Sequence, residues 1–115
     1  MTDPVEIARQ VADLASDTLA TNIAVLEISQ VSSIADVFVI CSADNLRQLN
    51  ALRDSVLEGL RESGVRPRRV EGQAESGWIL LDYGDVVVHL FTEEQRAFYR
   101  LEDVWSEAQK LLLIQ

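Results

Sequence analysis

Trp78-Ile79-Leu80-Leu81-Asp82-Tyr83-Gly84-Asp85-Val86-Val87-Val88-His89-Leu90-Phe91 holds two β-rich runs around a Gly-Asp pair. That pattern is a strong hairpin signal. A hairpin forbids a wholly parallel sheet. Upstream, Asp36-Val37-Phe38-Val39-Ile40-Cys41 is apolar on both faces, as in a central strand with helices over it. Ile23–Ile28 reads as another strand, and Gln30–Ala35 as a turn. Asp44–Ser63 is the clearest helix. Leu46, Leu49, Leu52, Val56, Leu57 and Leu60 recur at helical spacing, and Gly64 supplies a left-handed stop. Asp3-Pro4-Val5-Glu6 opens a first helix at capping-box spacing, with Ile7, Ala8, Val11, Leu14, Ala15 and Leu19 as its stripe.

Val65–Val70 reads as an edge strand, since Pro67 cannot donate to a ladder and Arg66, Arg68 and Arg69 discourage pairing. Glu71–Gly77 is a loop. Thr92–Gln95 opens a last helical region, in one or two pieces, with Phe98, Leu101, Val104, Trp105, Ala108 and Leu112 turned inward. Leu111-Leu112-Leu113-Ile114 reads as its end, packing back on the core. The expectation is one α/β domain over residues 1–115. Its mixed five-stranded sheet is flanked by helices, in the order α, β, β, α, β, β, β, α.

Charge narrows the partners. Nineteen acids against ten bases give −9. Nucleic-acid binding relies on Lys and Arg displacing counterions from phosphates, so direct contact with nucleic acid is not expected, nor with an anionic membrane. A basic protein partner would be attracted. Residues 61–71, with four arginines and two acids, form the one basic stretch. No apolar run approaches the ~20 residues of a membrane span. Cys41 is the single cysteine, which excludes an internal disulfide framework and fits a reducing cytoplasm.

Catalytic chemistry finds few candidates. His89 is the single histidine, and nothing in the sequence joins it to Cys41 as a nucleophile pair. Cys41-Ser42-Ala43-Asp44-Asn45 runs from strand into helix, where phosphates bind, yet glycines are missing and Asp44 itself can cap the helix. Asp82 and Asp85 could hold magnesium, but aspartates also serve tight turns. Trp78, Tyr83, His89, Phe91, Arg96, Tyr99 and Trp105 instead gather large amphipathic groups in a short stretch, the residue types enriched at interface hot spots. Phe98 and Trp105 are expected in the core.

Several blocks stand in the order seen in the ribosomal silencing factor family, also called RsfS or Iojap-like. They are Asp36–Ser42, Arg47–Leu52, Glu71-Gly72, Trp78–His89 and Arg96–Trp105. The chain resembles that family over about residues 5–106. It departs in the loop after the second strand, where Ala43, Asp44 and Asn45 replace a glycine and a small hydroxyl residue.

The resemblance implies a nucleotidyltransferase-like fold with no attached catalysis and no cofactor. It implies binding to the large ribosomal subunit through ribosomal protein fourteen (uL14), on the face that meets the small subunit. Subunit joining is then blocked and translation falls under nutrient limitation. A role in large-subunit maturation and a homodimer when free are also implied. On this reading Trp78, Leu80, Leu81, Asp82 and Tyr83 make the central contact, with Arg96 and Tyr99 beside it, and Asp82, Asp85 or Glu71 pairs with basic groups on the partner. Strand alternation sends Trp78, Leu80 and Asp82 to one side and Ile79, Leu81 and Tyr83 to the other. The sequence alone does not choose between them. The competing readings are an assembly adaptor and a metal-dependent nucleotidyltransferase using Asp82 and Asp85.

Overall fold

The computed structural model describes residues 3–114. Asp3 caps helix α1 (Pro4–Asp17) by accepting from the Val5 N–H, and Pro4 occupies the first turn, where its missing donor costs nothing. Ala8, Val11, Ala12 and Ala15 form its buried stripe. Leu19 does not continue that stripe. It takes a left-handed φ of 65° and is exposed, because α1 ends in a six-residue closure from the Ala20 N–H to the Ala15 carbonyl.

Strands β1 (Thr21–Glu27) and β2 (Val37–Ala43) pair antiparallel. Helix α2 (Leu46–Glu62) follows and stops at Ser63 before Gly64, whose φ of 80° needs no side-chain clearance. Its cap is Asn45 and not Asp44. The Asn45 side chain accepts from the Gln48 N–H at 2.8 Å, while the Gln48 side chain accepts from the Asp44 N–H at 2.7 Å. Gln48 stands three residues after Asn45, at capping-box spacing, although its return bond falls one residue upstream, on the Asp44 N–H.

The edge strand β3 is shorter than expected, Arg69–Glu71. A 3-10 turn at Ala74–Ser76 leads into β4 (Trp78–Asp82), and β5 (Val86–Thr92) completes the hairpin. Gly84 turns it at φ 87°, and its N–H is held by the Asp82 carboxylate at 2.8 Å. Helices α3 (Glu93–Tyr99) and α4 (Leu101–Val104) are two pieces, broken where Arg100 adopts φ 51°.

Two expectations fail at this end. The tail is no helix: Gln109–Ile114 forms β6, antiparallel to β1. The outer edge of β1 would otherwise be left without a ladder, and that demand overrides the helical preference of a leucine run. The sheet is therefore six-stranded, in the order β3-β4-β5-β2-β1-β6, with β2 and β5 parallel at its centre. The break at Arg100 also shifts the helical phase. Phe98 and Val104, expected inward, point outward, with Phe98 74% exposed.

The two faces are covered differently. Under α1 and α2 lies an aliphatic core including Val11, Ile23, Leu49, Leu52, Leu60, Ile79, Leu81 and Leu90. The opposite face carries Leu26, Ile28, Phe38, Ile40, Val87 and Phe91, covered by Leu101, Trp105 and Ala108 near the chain end. β2 serves both, so all seven of its residues are buried.

Candidate docking face

Strand alternation on β4 settles which expected residues share a surface. Trp78 and Leu80 are half-buried on the second face, next to its cluster of Phe38, Val87 and Phe91. Asp82 follows on the same side. Leu81 lies with Ile79 in the aliphatic core and is fully buried. Tyr83 also packs against that core, and burial pushes its phenol up to about 12. The structure thus brings Trp78, Leu80 and Asp82 together and separates Leu81 and Tyr83 from them.

An aromatic assembly builds the face. Trp78 stacks on Phe91 with ring centroids 5.1 Å apart and meets Tyr99 at 4.5 Å. Phe98 stands edge-on to Tyr99 at 5.1 Å, and Trp105 meets Phe38 edge-on at 5.7 Å. Tyr99 remains 42% exposed, and Phe98 and Val104 are more so. Ile34 and Val31, on the loop before β2, are exposed as well. Burying any of these against a partner would remove apolar area from water at about 25 cal/mol per Å².

His89 lies within this assembly. Its Nδ1 accepts from the Trp78 indole N–H at 3.2 Å, which places the imidazole proton on Nε2. Nε2 is buried without a partner among the described residues. Desolvation lowers the imidazole pKa to about 4, so the ring is neutral near pH 7. Cys41 faces the other way, since the β2–β5 register sets Ile40, not Cys41, opposite His89. Burial raises its thiol to about 12, partly offset by Arg96, which removes the thiolate that nucleophilic chemistry needs.

Arg96 does different work from a surface contact. Its side chain is only 10% exposed. The guanidinium donates to Glu102 at 2.6 and 2.9 Å, to the Ser42 hydroxyl at 2.9 Å, and to the Asn22 carbonyl. Asn22 sits at φ 49° in the bulge of β1, which turns that carbonyl toward it. One side chain thereby ties α3, α4, β1 and β2 and holds the elbow that presents Phe98, Tyr99 and Val104. Arg96 and Glu102 are six residues apart, a spacing that no continuous helix brings together, so the pair exists only because of the break at Arg100.

Asp82 is also engaged. One oxygen caps the Gly84 turn, and the other lies 3.3 Å from Arg69. Asp85 stands at the far side of the turn, where its carbonyl accepts from the Asp36 and Val37 N–H groups. Among the described residues, no three His, Cys, Asp or Glu side chains converge as a metal site.

Phe98, Val104 and Glu102 were missing from the sequence-derived site, whereas Glu71 was expected, with Asp82 and Asp85, as an acid that pairs with basic groups on the partner.

The fold and this face together define an α/β domain with a partly exposed aromatic surface and a carboxylate rim. Residues 2–114 match the family described as ribosomal silencing factor during starvation, and the chain belongs to that family. It is 34% identical over 103 residues to ribosomal silencing factor RsfS of Halalkalibacterium halodurans, covering 90% of this chain and 88% of that protein. It is 36% identical over 104 residues to the Zymomonas mobilis RsfS, covering 90% and 78%. The chloroplastic protein Iojap of Arabidopsis thaliana is 35% identical over 106 residues, 92% of this chain and 44% of that one. A crystal structure of a Chromobacterium violaceum protein superimposes with a TM-score of 0.88 at 31% identity, covering 97% of this chain and 92% of that one.

Proposed function

We propose that this chain is a ribosomal silencing factor that works by occupancy. It docks on the large ribosomal subunit through ribosomal protein fourteen (uL14), on the joining face, and its bulk excludes the small subunit. Trp78, Leu80 and Asp82 form the centre of the contact, with Tyr99, Phe98 and Val104 beside them. Leu81, Tyr83 and Arg96 support that surface from behind.

The observation that carries the reading is the aromatic face itself. Large amphipathic rings stand partly exposed together on a chain of this family. Such rings anchor interfaces. The charge agrees, since ribosomal proteins are basic and this chain carries −9. Area agrees too: the protein exposes 6480 Å², of which a standard interface takes about 800 Å² per partner. No helix of the described residues is long and apolar enough to cross a membrane. A site of action on ribosomes is consistent with the cytoplasm, and the free form pairs with a second copy.

The enzyme reading has less support. A nucleotidyltransferase-like centre would use Asp82 and Asp85 for metal, whereas both Asp82 oxygens already serve the turn and Arg69. An assembly adaptor would use the same face without blocking joining.

The experiment saturates large subunits with the protein, adds small subunits, and follows joined ribosomes on a sucrose gradient. Loss of the joined peak is expected. Full joining on coated subunits would leave the assembly role and remove silencing.

A further inference from the structure

Beside Trp78 the sheet edge folds into a concavity of about 190 Å³, lined by Glu71, Gly72, Trp78 and Leu80. We infer that this concavity is a subsite for one long basic side chain, a lysine or arginine, of the protein partner. The inference rests on the docking reading above and names the partner chemistry at one point of it.

The walls suit an aliphatic stem. The indole of Trp78 and the side chain of Leu80 offer carbon surface, along which Lys and Arg methylenes lie while the charged head stays near water. Gly72, at φ 87°, brings the end of β3 directly against β4. A Cβ there would overlap the Trp78 carbonyl oxygen, so the glycine keeps the wall close. The indole N–H is already given to His89. Trp78 therefore offers the concavity no donor for an incoming carboxylate or carbonyl. Its π face attracts a cation.

The head group finds a carboxylate that is only loosely held. Arg69 stands between two acids, 3.3 Å from Asp82 and 3.5 Å from Glu71. One guanidinium thus serves two carboxylates, while the Arg68 guanidinium packs against the Gly84 turn that Asp82 caps. Asp82 is the better held of the two, being 16% exposed and also bonded to the Gly84 N–H. Glu71 is 54% exposed, and Arg69 is its one ion-pair partner among the described residues. An arriving cation can take Glu71 while Arg69 keeps Asp82. An apolar side chain would instead cover the carboxylate without pairing it, which costs free energy.

The test compares wild type, Glu71→Gln, Glu71→Lys and Asp13→Asn for binding to purified large ribosomal subunits at low and high salt. Asp13 is exposed on α1, away from the aromatic face, and controls for net charge. Glu71 lies on the surface of a three-residue edge strand, and circular dichroism checks that its variants fold. Glu71→Gln is expected to weaken binding roughly tenfold and to flatten the salt dependence, the signature of a lost charge-assisted contact. Glu71→Lys is expected to lose more, and Asp13→Asn to bind as wild type. Glu71→Gln binding as tightly as wild type, or more tightly, overturns the basic subsite while docking stands. Equal weakening by Asp13→Asn reduces Glu71 to long-range steering and also overturns it. Wild type that fails to bind subunits removes the docking reading and the subsite together.

Discussion

The two faces of the sheet solve different problems with the same strands. Under α1 and α2 the side chains are aliphatic and dry, and Ile79, Leu81, Val88 and Leu90 expose nothing. The opposite face mixes rings with polar groups: His89 beneath Trp78, Ser42 beside Arg96, and Tyr99, Phe98 and Val104 open to water. The first face supplies most of the stability. The second leaves apolar surface open to water, and the proposed docking uses this incompletely buried side.

Leu81 and Leu80 put this contrast to its hardest test, because they are neighbours in sequence and opposites in space. Leu81→Ala should destabilise the protein by about 3–4 kcal/mol, the range for a leucine removed from a packed core. Urea denaturation followed by circular dichroism measures it. The folded fraction of that variant should bind subunits normally. A small stability loss with a large binding loss would reverse the assignment of the two faces.

Protonation of the single histidine acts on the second face. The folded protein keeps His89 neutral down to about pH 4, whereas an unfolded histidine takes its proton near 6.5. Between those values the unfolded chain binds more protons, so stability falls as pH drops through the window and levels off below it. His89 alone would contribute a loss of about 3 kcal/mol between pH 7 and 4. Carboxylates titrate in the same range, so the measurement is the difference from His89→Gln, whose amide oxygen can still accept from Trp78 without taking a proton. Parallel curves for the two proteins would show that the imidazole takes its proton at the same pH in the folded and the unfolded chain, against its burial as a neutral ring.

Arg96 connects the faces' shared strands to the exposed elbow. Arg96→Met removes the cation and leaves Glu102 and the Asn22 carbonyl partly buried without it. The expected cost is about 2 kcal/mol in stability, below that of a fully buried pair because Glu102 reaches water. Amide hydrogen exchange should rise in residues 93–104 and stay unchanged in α1 and α2. A rise spread evenly over the molecule would mean that Arg96 supports the whole fold and not the elbow.

Local patterns made much of this legible. Alternation around Gly84-Asp85 located the hairpin, helical spacing located α2, and the doubly apolar Asp36–Cys41 run marked a central strand. Asn45 was distinguishable from Asp44 only by the glutamine three residues on. Other features have no local cause. β6 forms because β1 needs a partner, and nothing within Leu111–Ile114 reports that need. Phe98 and Val104 turn outward because Arg100 takes a left-handed conformation, which any arginine in a helical pattern conceals. Alternation on β4 separated Leu80 from Leu81 but could not say which side the helices cover, since both residues are leucines. The aromatic cluster was visible as a composition, and its partition into core, support and surface required the tertiary fold.

Phe98 sets the lower end of the scale. It is a large ring with 74% of its surface in water, on a helix with no buried residue, touching Tyr99 edge-on. Folding gains little from it, so Phe98→Ser should change unfolding stability by less than about 0.5 kcal/mol, the usual range for surface sites. Binding to large subunits should nevertheless weaken severalfold, because the ring's apolar area is then covered only in the complex. A destabilisation comparable to that of Leu81→Ala would show that Phe98 packs inward in solution, and the second face would then lose its outermost ring as a docking group.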